Sequence, residues 1–118
     1  MNSLTLCSHC CKWANDHDGA DPKAVMEDYP AMMEEVLNSF GLAEVDAENF
    51  IADACFGNWQ RMHETDEERQ TLDARHYADI IVGDVWYCSD RWSWDRVIRI
   101  QWAYQRLRDR CGRYGSES

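Results

Sequence analysis

The chain has 118 residues, 45% of them hydrophobic, with 22 acidic and 12 basic side chains, six tryptophans and a formal charge of −10. That length suffices for one self-supporting core, and the hydrophobic fraction excludes wholesale disorder. No stretch approaches the roughly 18 apolar residues that a membrane span needs, and a strongly acidic body repels nucleic acid and anionic lipid at long range.

Residues 1–14 lack a basic leader and a long apolar run, so no secretory leader is expected. The chain is assigned to the cytoplasm, where its six cysteines would be reduced thiols. Ser3 can cap a helix to about Ala14, with Leu4, Cys7, Cys11 and Ala14 on one face and Leu6, Cys10 and Trp13 beside them. Residues 15–21 form a loop by composition. Asp21 followed by Pro22 reads as an N-cap and first helical position, opening a helix to about Asp28. Pro30 then calls for a kink or a fresh start. Met33, Val36, Leu37 and Phe40 make the next apolar stripe, ended by Gly41. Asp46 caps another helix, whose inner positions are Phe50, Ile51, Ala54, Cys55, Asn58 and Met62.

Thr65 with Glu68 three residues on is a capping box. The helix it opens should carry Leu72, His76 and Asp79 and extend towards Trp86. The stretch from Ile80 to Cys88 also fits a tight hairpin around Gly83-Asp84. Helix is preferred, because the strands would be three or four residues long with no third strand to pair with. From Trp94 onward one helix shows three faces. Val97, Ile100, Tyr104, Leu107 and Cys111 form a core stripe, and Trp94, Ile98 and Trp102 a second apolar ridge. Arg96, Arg99, Arg106, Arg110 and Arg113 fill the remaining arc, with Arg99 and Arg106 placed to stack on Trp102. The fold expected is all-α, a compact bundle of five to six short helices (with a small hairpin at 80–88 as the variant). Residues 1–114 form a single helical domain and residues 115–118 a disordered tail.

Candidate chemistry is sparse. Cys7 and Cys10 have the Cys-x-x-Cys spacing of half a zinc site, but no second pair completes it, and helical spacing suits core thiols equally. His17-Asp18 is a His-Asp pair without the further histidines that a metal-dependent phosphohydrolase needs. Asp73, His76 and Asp79 lie three apart, and a histidine bonded to a local carboxylate accounts for them without a metal. No nucleophile elbow, phosphate-cradling glycine loop or triad context is present, so neither an enzyme nor a cofactor is expected.

Charge is therefore the feature that points outward. Residues 1–90 carry 5 basic and 19 acidic side chains, and residues 91–118 carry 7 basic and 3 acidic. The expectation is a small non-enzymatic binding protein that occludes a basic, nucleic-acid-handling protein partner by imitating the charge of a phosphate backbone. Size and charge of this kind are typical of phage or plasmid inhibitors of host defence, a link by analogy alone. Candidate contacts are Glu34 and Glu35 on one helix and Glu64, Asp66, Glu67 and Glu68 at the start of another. Trp92, Trp94, Arg99 and Arg106 join them as aromatic and arginine anchors of the kind enriched at interfaces. Direct nucleic-acid binding is disfavoured by the acidic body, and no membrane contact is expected. The alternative is a zinc-dependent adaptor with Cys7 and Cys10 as ligands and the arginine helix on nucleic acid. A homodimer through Trp94, Ile98 and Trp102 is compatible with either reading.

Overall fold

The structure, a computed structural model, describes residues 3–39, 64–87 and 94–111. Five helices occupy them: α1 (Ser3–His17), α2 (Pro22–Ser39), α3 (Asp66–Thr71), α4 (Ala74–Trp86) and α5 (Trp94–Cys111). No strand occurs among the described residues, so the all-α expectation holds there. The predicted helix from Asp46, together with Phe40 and Gly41, lies outside them, as do the tail from Gly112 and Trp92.

α1 runs three residues past the predicted stop. It ends where Gly19 takes a positive φ of 75° and the Ala20 amide donates to the His17 carbonyl at 3.0 Å. Glycine adopts that left-handed conformation without the steric cost a Cβ would bring. The buried row of α1 is Leu6, Cys10 and Ala14, while Cys7 and Cys11 are only half-buried. The predicted stripe through Cys7 and Cys11 is thus rotated by one position.

α2 begins as the sequence indicates: the Asp21 carboxylate accepts from the Lys23 amide at 2.8 Å, with Pro22 first in the helix. It then continues through Pro30 to Ser39 without a fresh start. Pro30 is exposed, while Tyr29, Met32, Met33, Val36 and Leu37 are buried on either side of it. Burial of those residues on one continuous face outweighs the single backbone bond that proline removes.

The one helix expected from Thr65 to Trp86 is two. Thr65 Oγ1 accepts from the Glu68 amide at 3.0 Å and opens α3, which stops at Thr71. Asp73 then caps α4, its Oδ1 accepting from the His76 amide at 3.1 Å. An N-cap residue has non-helical backbone, so an aspartate used this way ends any through-going helix. The hairpin variant is excluded for Ile80 to Trp86, all of which lie in α4.

α4 is the central element and packs on α1, α2 and α5. Tyr77, Ala78, Ile81, Val82 and Val85 are buried there. Facing them on α5 are Val97, Ile98, Ile100, Trp102, Ala103 and Leu107, also buried. The two apolar ridges expected on α5 therefore merge into one broad core face. Ile98 and Trp102, each 4% exposed, belong to the chain's own core. Polar contacts lock the helices. Tyr29 Oη donates to Gln101 Oε1 at 2.5 Å and its ring stacks on Tyr104 at 4.1 Å, tying α2 to α5. Tyr77 meets Trp102 edge-on at 5.5 Å, tying α4 to α5.

Candidate partner-binding surface

The arginine arc of α5 is turned to internal use. Arg99 Nε pairs with Asp84 Oδ2 at 2.6 Å. Arg96 donates to the carbonyls of Asp84, at 3.0 Å, and Tyr87, closing the C-terminal end of α4. Arg110 donates to the Leu72 carbonyl at 3.1 Å and to that of Arg69, clasping the joint between α3 and α4. Arg106 pairs with both carboxylate oxygens of Glu64, with Asp109 as a second acid at 3.6 Å. The Arg108 guanidinium lies over the Tyr104 ring and that of Arg110 over the Tyr77 ring.

This arrangement sorts the candidate contacts. The Glu64 side chain is 4% exposed, bound to Arg106 and within 3.4 Å of the Trp102 indole nitrogen, so it is a buried strut. Arg106, its partner, and Arg99, which pairs with Asp84, both face carboxylates of their own chain. Asp66 is exposed but paired with Arg69, Glu67 is exposed, and Glu68 is half-buried with its carbonyl accepting from Tyr77 Oη at 2.8 Å. The Trp94 side chain lies outside the described residues. Glu34 is exposed, and half-buried Glu35 lies 3.6 Å from His9 of α1.

The outward carboxylates gather instead along α2. Glu27 and Glu34 stand seven residues apart, as do Asp28 and Glu35, so two parallel acidic rows run along one side of that helix at a repeat of about 10.5 Å. Neither Glu27 nor Glu34 is paired with a cation among the described residues. Glu27, Asp28 and Glu35 border a cleft of about 370 Å³ whose other bank is His9, Lys12, Asp16 and His17 of α1. Sequence reading had placed only Glu34 and Glu35 here. Glu27 and Asp28 share their seven-residue spacing, a signal that was available but masked by the expected break at Pro30.

His17 holds that cleft together. Its ring stacks on Trp13 at 4.2 Å, Nδ1 lies 2.7 Å from the Trp13 carbonyl, and Nε2 lies 2.7 Å from Asp28 Oδ2. Both ring nitrogens thus have partners within the chain. His76 sits beside the cap that Asp73 provides, with Nδ1 3.0 Å from Oδ1, while Asp79 pairs with Arg75. Cys10 is 1% exposed in the core, and among the described residues no group of three or more His, Cys, Asp or Glu side chains is placed to hold a metal ion. No described helix is long and apolar enough to cross a membrane. No family model matches the chain, and no similar protein is found among curated proteins or solved structures.

Proposed function

We propose that this protein is a non-enzymatic binding domain that presents the acidic side of α2 to the basic surface of a nucleic-acid-handling protein. One observation carries the reading. Arg96, Arg99, Arg106 and Arg110 of α5 are spent on the chain's own oxygens, whereas Glu27 and Glu34 stand exposed and uncompensated among the described residues. The net charge of −10 adds a long-range attraction to any cationic partner. Occlusion of a site that otherwise holds phosphates is the inhibitory mode such a surface would serve.

A tagged pull-down with nuclease present, followed by affinity measurement across a salt series, tests this. A basic nucleic-acid-binding protein should be recovered, with affinity falling about tenfold or more between low and physiological salt. The double reversal Glu27→Lys and Glu34→Lys should abolish binding and leave the helical content unchanged. Affinity that holds constant across the salt series would rule the reading out.

A further inference from the structure

A second cleft, of about 570 Å³, opens between α1 and α4 and is lined by Asn15, Asp18 and Gly19 from the end of α1 and by Arg75, Asp79 and Trp86 from α4. Its floor is apolar and low, formed by Ala14, Val82 and Gly83. A Cβ built on Gly83 would meet nothing within 4 Å, so the space above that residue is open. Trp86 is 50% exposed and Tyr87 beside it 73%, an aromatic rim on a molecule whose other described large apolar side chains are covered.

The polar end of the cleft is acidic. Asp18 is exposed and carries no ion pair among the described residues, and Asp79 faces it from α4. The C-terminal end of α1 adds the negative pole of its dipole. Arg75 does not reverse this balance, because its guanidinium is already a strut. Nη1 donates to the Ala20 carbonyl at 2.6 Å and Nη2 forms an ion pair with Asp79 at 3.1 Å, while Nη2 and Nε are buried without a hydrogen-bond partner, so the charge of the guanidinium is offset by Asp79.

An apolar floor, an indole wall and carboxylates at the far end match a long cationic side chain: methylene stem on the floor, flank against the indole, charged head at the acids. We propose that this cleft seats an arginine side chain projected by the protein partner. The inference rests on the reading of the protein as a binder of basic surfaces and adds the anchor that gives such binding register. The two clefts adjoin along α1, with Asp16 and His17 facing one and Asn15 and Asp18 the other, so one partner can span both.

The test uses the full chain at low salt, with tetra-arginine, tetra-lysine and tetra-glutamate peptides as probes. The indole N–H resonance of Trp86, identified by its loss in Trp86→Phe, is the readout. Tetra-arginine should shift it saturably, and tetra-glutamate should not. Gly83→Leu fills the floor at a position where leucine favours the helix, so the variant should fold and weaken tetra-arginine binding at least tenfold. Asp18→Asn should weaken it several-fold. Trp86 shifts produced equally by tetra-glutamate would overturn the assignment, as would an indole closed to acrylamide quenching in the unliganded protein. Binding that survives Gly83→Leu, with shifts confined to α2, would overturn the anchor and leave the acidic side of α2 standing. No binding of either cationic peptide would overturn both.

Discussion

Glu64 and Glu34 are both glutamates that sequence alone offers as surface contacts, yet removing each should have a very different effect. Glu64 is buried against Arg106 and beside the Trp102 indole, so Glu64→Ala strands a guanidinium that is only 17% exposed. The expected loss is about 3 kcal/mol, at the low end for a broken buried pair because Asp109 remains nearby. Glu34→Ala on the open face of α2 should stay within about 0.5 kcal/mol of the parent, and urea unfolding of the two variants measures the contrast. Asp73 gives a pH-dependent case. Its side-chain bond to the His76 ring, then the His76 amide, holds its carboxyl below the ordinary 3.8. A depressed carboxylate contributes stability above its unfolded pKa and loses it as pH falls through the folded value. The stability gap between parent and Asp73→Asn, taken from denaturant midpoints, should therefore be widest near neutrality and shrink below pH 3.8. Asp84 runs the other way, because burial pushes its carboxyl up against the opposing pull of Arg99, so its ionised form costs folding energy as pH rises. What sequence could not separate at this scale was partnership: Arg106 lies 42 residues from Glu64, and no local pattern records that pairing.

The helices show which signals survive without tertiary information. Caps are local, so Asp21 before Pro22 and Thr65 before Glu68 were legible from side-chain type and spacing alone. The break at Asp73 was missed, although an aspartate three residues before an amide it can accept from is the same kind of signal. The single helix expected through Leu72, His76 and Asp79 runs straight across it. Pro30 misled in the opposite direction. Proline opposes helix through the bond it removes, but Tyr29, Met32 and Met33 gain enough by burial to carry α2 past it. Pro30→Ala should restore the missing backbone bond and raise stability by about 1 to 3 kcal/mol, with thermal melting as the measure. Unchanged or lowered melting would show that α2 is bent to suit the proline. The ridge of Trp94, Ile98 and Trp102 was correctly placed on α5, but periodicity cannot tell an interface from a core that wraps further round the helix.

At the scale of the whole molecule, the basic segment of the chain does not become a basic face among the described residues. The basic C-terminal segment folds onto acids and carbonyls of the preceding helices, so the positive stripe legible in the sequence is largely quenched by Asp84, Glu64 and the ends of α3 and α4. Among the described residues the acids of α2 have no such counterpart apart from His9 and His17. A proposed binder built this way should respond to salt through its acidic side alone. Neutralising Arg99 or Arg110 should cost stability and leave the salt slope of binding unchanged, whereas Glu27→Gln with Glu34→Gln should flatten that slope. Comparing the two sets by salt-dependent binding and by melting separates scaffold from surface.

Arg110 reaches the Arg69 carbonyl across 41 residues. During synthesis the joint it clasps is complete long before the clasp exists. The nascent chain must emerge past residue 110 before the elbow between α3 and α4 can be fastened. A chain cut short before residue 110 would keep most of its apolar interior but hold that elbow unlatched, making the Thr71–Asp73 region a natural first point of attack for a protease.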